Sequence, residues 1–316
     1  MSPQFFRLSI VIPTKNRVKI LAQLLESIKQ LDPVDGLRFE VVVADNGSED
    51  GTDAYVNSIV DSFPASIRLV KIGRPGKSAA VNDAVRSAAG DMLAFLDDDV
   101  IVDKTWLTAV EHFFRTEAYC VGQGVIRLPS PESRDPEVLR LVERFRTIPR
   151  LEHKPNLKTV HSLNGANFFV SRDLFDRVGG FDERLGPGAS GTSEDVEFAR
   201  RVIRAGIQIG YAPQAVVYHR VDCARLTEEY FRQSHRRQGA SRFLIRRQGT
   251  AEIFFNLARA VAQYGYYSLA GGERDRYRSK GRIYHYLGMM EAKKKYRDRR
   301  PAGTTEDAMD FRSLHP

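Results

Sequence analysis

The sequence contains few cysteines and no long apolar segment. Its two cysteines exclude a disulfide-linked scaffold and a cysteine-rich zinc module. No segment approaches the roughly 20 apolar residues of a membrane-spanning helix. The apolar run at residues 8–12 is too short for the core of a signal peptide. We therefore expect a cytoplasmic protein, which could also attach peripherally to the cytoplasmic face of a membrane.

Positive charge is in excess and is concentrated near the C-terminus. The 316 residues include 48 Lys and Arg against 40 Asp and Glu, a net charge of +8. Residues 220–300 alone hold 20 of the basic and 8 of the acidic residues, so the remainder of the chain is slightly acidic. This asymmetry indicates an anionic partner such as phospholipid or a polyanionic substrate, or else a solvated helical surface. Nucleic acid is disfavoured because no recognised binding module is present.

Predicted strands and helices alternate over the first hundred residues. The apolar runs that predict strands are residues 8–12, 39–44, 67–72 and 92–96. The segments with helical periodicity are residues 17–31, 52–63 and 77–89. This order predicts a parallel sheet covered by helices on both faces. Further along, the predicted elements are strands at 167–170 and 215–218, a helix at 195–205, and basic helices from about 226 to 300.

Polar residues directly follow three of the predicted strands. They lie at residues 13–17 after the first strand, 45–48 after the second and 97–99 after the fourth. In an open α/β sheet, ligands bind outside the carboxyl ends of the strands, near the point where strand order reverses. We therefore expect these three clusters to converge on one site.

The three adjacent carboxylates Asp97, Asp98 and Asp99 are the strongest single feature. Their charges repel one another at neutral pH, and a divalent cation would relieve that repulsion. Carboxylate oxygens suit Mg²⁺ or Mn²⁺, which commonly share one or two carboxylates with substrate phosphates. The alternative is helix capping, but Asp103 precedes the helix predicted from Lys104 and can cap it alone. The triplet therefore predicts a metal site.

Other acidic and histidine positions have a structural alternative beside a functional one. Asp45 is either a turn residue or a hydrogen-bond acceptor for a nucleotide base or ribose. Glu194 and Asp195 follow a glycine-rich loop that could order over a substrate, or they form a first helical turn capped by Ser193. His219 ends a short predicted strand and is either structural or a metal ligand.

Lys77 follows Gly76 at the start of a predicted helix, which resembles the end of a P-loop. That motif requires a second glycine at position 71, where the chain has lysine, so we exclude an ATPase of this type. Lys77 can still approach a phosphate from the helix start.

Six segments in this order together resemble the family 2 glycosyltransferases. The segments are residues 11–17, 43–48, 95–99, 179–183, 194–195 and 218–219, and the resemblance covers about residues 7–220. It implies an α/β fold of the GT-A type, in which helices flank a Rossmann-like mixed sheet. It also implies a catalytic domain over 1–220, with a nucleotide-binding half over about 1–100 and an acceptor half over about 101–220. A basic helical region over 221–300 and a tail over 301–316 would follow.

The resemblance implies roles for individual residues. Those that would bind the nucleotide sugar are Pro13, Thr14, Arg17, Asp45, Asp97 and Asp98, and Lys77 joins them from its helix start. Asp195 would be the general base with Glu194 beside it, and Gly179 and Gly180 would shape the acceptor site. Asp99 and His219 would hold Mn²⁺ or Mg²⁺.

The implied reaction is metal-dependent, inverting transfer of a sugar from a nucleotide-diphosphate sugar, with UDP the expected nucleotide. The acceptor would be a hydroxyl of a glycan or a lipid-linked saccharide. Processive relatives carry a Gln-x-x-Arg-Trp motif, whereas residues 238–243 have one extra residue and no Trp, so we expect non-processive transfer. The alternatives are a retaining GT-A transferase and a nucleotide-sugar-binding protein without turnover.

The aromatic and basic residues of the C-terminal helices suggest contact with an anionic membrane surface. The alternative is that these aromatic side chains pack against the catalytic domain or against a second subunit in a homodimer.

Overall fold

The computed structural model describes residues 6–129 and 135–296, so the predicted tail at 301–316 lies outside the described residues. The first half contains β1 (Phe6–Thr14), α1 (Val18–Lys29), β2 (Leu37–Asp45), α2 (Thr52–Ile59), β3 (Ser66–Lys71), α3 (Lys77–Ser87) and β4 (Met92–Phe95). The next elements are β5 (Val100–Val102), α4 (Trp106–Thr116), β6 (Val121–Arg127), α5 (Pro136–Phe145), β7 (Thr159–Val160), β8 (Phe168–Ser171), α6 (Arg172–Val178), α7 (Glu194–Arg204) and β9 (Ile209–His219). The last helices are α8 (Glu228–Ile245), α9 (Thr250–Ala270) and α10 (Glu273–Lys295).

The strands form a mixed sheet in the order β3-β2-β1-β4-β8-β6-β9-β5, with β7 paired to β9. The first four strands in this order are parallel, as the alternating pattern predicts. The sheet as a whole is mixed, because β8 runs antiparallel to both β4 and β6, and β5 runs antiparallel to β9. The strand–helix alternation that imposes parallel pairing ends at β4. The mixed sheet implied by the GT-A resemblance is confirmed.

Two apolar clusters cover the two faces of the sheet. Successive residues of β1 point to opposite faces, so Ile10 and Ile12 lie in one cluster and Val11 lies in the other. Helix α1 packs on the first face, and its buried residues are Leu21, Leu24, Leu25 and Ile28. Helix α3 packs on the second face through its alanines and valines. Each fully buried Leu or Ile contributes about 1.5–3 kcal/mol, so this core holds the carboxyl ends of the strands rigidly.

Several predicted boundaries differ from those observed. The predicted helix at 52–63 ends at Ile59 and continues as a 3₁₀ turn, and the helix predicted from Lys104 begins at Trp106. Asp103 accepts a hydrogen bond from the Thr105 backbone rather than capping the helix itself. Ser193 does not cap α7 with its side chain and has a φ of 75°. Sequence patterns missed β5, β6, β7, α5 and α6. Strands β5 and β7 are only three and two residues long, and Gly122 and Gly124 interrupt the apolar pattern of β6.

Helices α8 and α10 pack against α5, and α8 also contacts the glycine-rich loop before α7, where the Ser190 and Ser241 hydroxyls share a hydrogen bond at 2.7 Å. Phe145 of α5 contacts Phe231 of α8 and Tyr277 of α10, and Arg144 forms an ion pair with Glu273 at 2.7 Å. Some of the C-terminal aromatic residues thus pack internally. In the part of the chain that the structure describes, no helix has both the length and the hydropathy needed to cross a bilayer.

Helices α8 and α10 approach each other closely at glycines. A Cβ added at Gly239 would overlap the carbonyl oxygen of His285, and one added at Gly288 would overlap the carbonyl oxygen of Arg236. Backbone atoms cannot rotate away as side chains do, so the helices would have to separate.

We expect Gly288→Ala to lower the free energy of unfolding by about 1–3 kcal/mol through this overpacking. Gly265→Ala in α9 is the matched control, because nothing lies within 4 Å of its added Cβ. This control should instead stabilise the helix by up to about 1 kcal/mol. Chemical denaturation of both variants measures the difference. Equal stability of the two would contradict the close helix contact.

Candidate active site

The carboxyl ends of β1, β2 and β4 meet at one edge of the sheet. Thr14 at the end of β1 is in register with Asp45 at the end of β2, and Leu96 after β4 donates its backbone N–H to the Val11 carbonyl. Because β1 lies between β2 and β4, strand order reverses at this edge, and open α/β sheets bind ligands at such points. The structure therefore brings the three predicted clusters together.

Asp98 and Asp99 are buried and are held by cationic and hydroxyl side chains. Asp98 accepts hydrogen bonds from Thr14 Oγ1 at 2.7 Å and from Arg17 Nη1 at 2.5 Å. Asp99 accepts from Arg17 Nη2 at 3.1 Å and from Arg225 Nη2 at 2.8 Å. Arg17 therefore bridges the two carboxylates and fixes their spacing.

The two buried carboxyls titrate differently. Burial raises the pKa of Asp98 to about 6, with the Asp99 charge adding to the effect and Arg17 opposing it. Burial also disfavours ionised Asp99, but the charges of His219, Arg225 and Arg17 outweigh burial and lower its pKa. Asp99 is thus the carboxylate of this pair that stays ionised most readily.

Asp99 and His219 form a pair that suits a divalent cation. His219 Nδ1 lies 2.8 Å from the Arg220 carbonyl oxygen and donates its proton there, while Nε2 lies 3.3 Å from Asp99 Oδ1. An imidazole nitrogen and a carboxylate oxygen that face each other can both act as ligands of one metal ion. A backbone carbonyl that orients the imidazole is typical of metal-ligating histidines. No group of three or more His, Cys, Asp or Glu side chains suited to a metal occurs among the described residues, so substrate oxygens would complete the coordination.

Lys77 joins the Asp triplet to the carboxylates at the start of α7. Its Nζ lies 2.6 Å from Asp97 and 3.1 Å from Glu194. Burial alone would lower the pKa of Lys77, but the charges of Asp97 and Glu194 outweigh it and raise that pKa well above its usual value. Lys77 therefore remains charged and holds these two carboxylates together.

Asp195 lies beside this ion-pair bridge with both carboxylate oxygens held by the backbone. Its Oδ2 accepts a hydrogen bond from the Gly165 N–H at 2.8 Å, and its Oδ1 accepts one from the Val196 N–H at 2.7 Å. Burial, together with the neighbouring Glu194 charge, raises the pKa of Asp195 to about 7, although Lys77 opposes the rise. A carboxyl with a pKa near 7 can take up a proton during a reaction near neutral pH.

Lys77, Asp97, Glu194, Asp195 and Arg225 line a common cleft of about 830 Å³. The glycine-rich loop before α7 forms part of its wall, and the Pro187 carbonyl accepts a hydrogen bond from the Lys77 backbone at 2.9 Å. The cleft is large enough for a nucleotide sugar and part of an acceptor, since small-molecule pockets span about 300–1,000 Å³.

The remaining predicted residues occupy different surroundings. Pro13 borders a small pocket beside Lys77 and Asp195. Asp45 is buried and accepts a hydrogen bond from the Ser48 N–H at 2.9 Å, as expected of a turn residue. Its role in binding the nucleotide stays a prediction. Gly179 and Gly180 do not line the cleft. Their carbonyls accept hydrogen bonds from an arginine of α7, and their acceptor role also stays a prediction.

Sequence reasoning missed two residues that the structure brings to the site. Arg225 reaches Asp99 from a 3₁₀ turn after β9, and Gly165 orients Asp195 with a backbone N–H from the loop before β8. Neither belongs to a recognisable motif. A backbone N–H carries no residue-type signal at all, so nothing in the sequence could have indicated Gly165.

The family model for glycosyl transferase family 2 matches residues 9–179. This chain belongs to that family. Among curated relatives, the succinoglycan biosynthesis protein ExoM of Rhizobium meliloti is 30% identical to this chain over 255 residues. The alignment covers 79% of each chain.

Solved structures confirm the GT-A fold of this family 2 glycosyltransferase. The mannosyltransferase PcManGT of Pyrobaculum calidifontis, in complex with GDP-Man and Mn²⁺, superposes with a TM-score of 0.60 at 21% identity, covering 94% of this chain and 89% of the other. TarS of S. aureus in complex with UDP-GlcNAc superposes with a TM-score of 0.53 at 18% identity, covering 92% of both chains. At these identities the likeness shows the fold alone.

Proposed function

We propose that this glycosyltransferase performs metal-dependent, inverting and non-processive transfer from a nucleotide-diphosphate sugar, with UDP as the nucleotide. The acceptor is a hydroxyl of a glycan or a lipid-linked saccharide. The observation that carries the proposal is the cleft that Asp195, Lys77 and Asp97 line together. Arg225 also lines this cleft and donates a hydrogen bond to Asp99, which links the metal-binding pair to it. The family membership and the nucleotide sugars bound to PcManGT and TarS support it.

The chain's own side chains can perform the displacement. The acceptor oxygen attacks the anomeric carbon, the bond from that carbon to the diphosphate oxygen breaks, and the nucleoside diphosphate leaves with the electron pair. Asp195 Oδ removes the hydroxyl proton as the new glycosidic bond forms. A single displacement inverts the anomeric centre. Arg17, Arg225 and Lys77 place positive charge where the diphosphate develops negative charge.

Asp99 and His219 would hold the divalent cation. When bound, Mn²⁺ or Mg²⁺ supplies Lewis-acid neutralisation of the leaving diphosphate. The support is the facing pair of Asp99 and His219 in the fold, together with the Mn²⁺ in PcManGT.

A panel of UDP-, GDP- and dTDP-sugars, each with Mn²⁺ and with EDTA, tests the proposal by release of the nucleoside diphosphate. We expect release from UDP-sugars with metal and none with EDTA. NMR of the product's anomeric centre should show inversion, and retention would favour a retaining GT-A transferase. Failure of every donor to bind or react with metal would favour a binding protein without turnover.

The acidic limb of the pH–activity profile should follow Asp195. Only the ionised carboxylate accepts a proton, so kcat should fall below a pH of about 7, where Asp195 becomes protonated. Lys77→Gln should move this limb to higher pH, because the Lys77 charge lowers the pKa of Asp195. The measurement is kcat at saturating donor across pH. Lys104→Gln, an exposed lysine outside the cleft, is the control, and an unmoved limb in Lys77→Gln would contradict the coupling.

We also propose that the outer face of α9 attaches the protein to an anionic membrane. Among its 21 residues only Ile253 and Ala260 are buried, whereas Phe254, Phe255 and Leu269 are 64%, 69% and 92% exposed. Phe255 lines a cavity together with arginines of α8 and α10, so positive charge lies beside this apolar face and complements an anionic bilayer. Phe231 and Phe243, in contrast, are buried and pack internally. A cytoplasmic location stays a prediction.

Flotation with phosphatidylglycerol vesicles tests the attachment. Phe254→Ser/Leu269→Ser should reduce vesicle binding by about tenfold or more, because large apolar area no longer enters the bilayer. Val60→Ser/Leu157→Ser removes two exposed apolar side chains elsewhere and should bind as the unmodified protein does. Equal loss in both variants, or no binding by the unmodified protein, would overturn the attachment.

A further inference from the structure

A second cavity of about 1220 Å³ lies between α5 and the three C-terminal helices, and arginines dominate its wall. Eight arginines line this arginine cavity, whereas Glu252 is the only carboxylate among its lining residues. The catalytic roles described above use none of these residues.

Most of this positive charge is not neutralised by the protein. Arg144 pairs with Glu273, and Arg282 donates to Gln263. Within residues 6–129 and 135–296, the cavity arginines without a carboxylate partner are Arg146, Arg242, Arg246, Arg259, Arg274, Arg278 and Arg282. Burial and the neighbouring Arg246 lower the pKa of Arg242, which shows that these charges repel one another.

Neutral groups complete the wall of the arginine cavity. Burial lowers the pKa of His285 to about 4, with Arg242 and His235 adding to the effect. His285 is therefore uncharged at neutral pH and adds no positive charge to that of the arginines. Guanidinium groups that lie together without counter-charges raise the free energy of the unliganded protein, because they repel one another. An anionic ligand would lower that free energy.

The arginine cavity is continuous with the reaction cleft. Arg146, His235, Gln238 and Arg274 line both spaces. Arg146 occupies the left-handed region with a φ of 52° at the end of α5, a conformation that non-glycine residues seldom adopt. A ligand bound among the arginines could thus extend past this shared wall toward Asp195.

The arginine side chains of the cavity indicate the chemical class of its ligand. The planar guanidinium donates two parallel hydrogen bonds to phosphate oxygens, whereas a sugar hydroxyl provides no charge to match it. Several arginines around one space fit a phosphate or diphosphate better than a single carboxylate. The exposed apolar face of α9 adjoins this cavity through Phe255, which lines it.

We propose that the arginine cavity binds the phosphate or diphosphate group of the acceptor and so directs the acceptor's saccharide into the reaction cleft. The proposal rests on the proposed function, because Asp195 there accepts the proton of the acceptor hydroxyl. It assigns a second anion site, distinct from the diphosphate site of the donor at Arg17, Lys77 and Arg225.

Isothermal titration calorimetry of the full chain with inorganic pyrophosphate in EDTA tests the anion site without turnover. We expect saturable binding that Arg242→Gln/Arg278→Gln weakens by about tenfold or more, since two charge-assisted hydrogen-bonding groups are lost. Arg177→Gln/Arg204→Gln removes the same charge from positions outside both cavities and should leave affinity unchanged. Equal affinity in the two double variants would overturn the proposal.

Further binding experiments distinguish an acceptor diphosphate from a lipid headgroup and from an anion bound in the reaction cleft. A short-chain alkyl diphosphate should bind as pyrophosphate does and weaken equally in the cavity variant. If that variant loses only phosphatidylglycerol vesicle binding, the arginines contact lipid headgroups and the acceptor role is overturned. If Arg225→Gln abolishes pyrophosphate binding and the cavity variant keeps it, the anion lies in the reaction cleft, which also overturns the proposal.

Two additional measurements test whether a loss of pyrophosphate binding reflects the removed arginines or a loss of folding. The thermal unfolding midpoint of Arg242→Gln/Arg278→Gln should be unchanged or higher, because mutually repelling charges are removed. If this variant fails to fold, Arg242→Lys retains the charge without the guanidinium and should weaken pyrophosphate binding by a smaller factor. The calorimetry needs no donor, so failure of the anion site and failure of the transferase proposal are seen in different assays.

Discussion

Asp195→Asn should reduce kcat for sugar transfer by a factor of about 10²–10⁴, which is the usual contribution of a general base. The amide has nearly the same shape as the carboxylate and can still accept the Gly165 N–H, which contacts Asp195 at 2.8 Å. It cannot take up the acceptor proton. Donor binding should therefore persist, so the loss appears in kcat and not in the donor's KM. Steady-state kinetics with saturating acceptor measures this split.

Asp176→Asn is the matched control for this substitution. Asp176 is an exposed carboxylate on α6 and does not line the cleft, so its kinetics should match those of the unmodified protein. Near-normal kcat in Asp195→Asn would show that another group takes the proton. In that case Glu194, held by Lys77 at 3.1 Å, is the next residue to substitute.

Asp99→Asn should reduce metal-dependent donor turnover by about 100-fold or more, because even residues that only orient a metal ligand change activity by 10–100-fold. The substitution removes the charge that faces His219 and accepts from Arg17 and Arg225. It should also lower the free energy of unfolding by about 1–3 kcal/mol, because buried hydrogen bonds to charged groups are weakened. The measurements are turnover as a function of Mn²⁺ concentration and chemical denaturation.

Asp222→Asn controls for a change of charge beside Arg225. Asp222 Oδ2 lies 3.9 Å from Arg225 Nε, but it does not contact Asp99 or His219. We expect its Mn²⁺ dependence to equal that of the unmodified protein. If Asp99→Asn had the same Mn²⁺ dependence as this control, Asp99 could not be a metal ligand.

The arrangement of charge explains why so many carboxylates can lie at this edge of the sheet. Lys77 neutralises Asp97 and Glu194, and Arg17 neutralises Asp98 and Asp99. Asp195 accepts two backbone hydrogen bonds, but burial and the Glu194 charge outweigh these bonds and the Lys77 charge, so its pKa rises to about 7. Different surroundings thus separate a proton acceptor, Asp195, from Asp99, whose pKa is lowered.

Local sequence determined the first half of the fold and the position of the Asp triplet. Apolar runs of period two and helices of period 3.6 are local properties, and they correctly predicted β1 to β4 and the helices between them. The polar residues that end these strands lie at one edge because parallel strands share a direction. The resemblance to family 2 glycosyltransferases added the mixed sheet and the candidate base, Asp195.

The tertiary structure alone decided how the site is charged and what lies beside it. Arg225 reaches Asp99 across 126 positions of sequence, and the antiparallel entry of β8 brings the Gly165 N–H to Asp195. The arginine cavity combines residues of α5, α8, α9 and α10, which no local pattern joins. Ion pairs, pKa values and cavities depend on distances between remote segments, and packing sets those distances, whereas residue spacing along the chain does not.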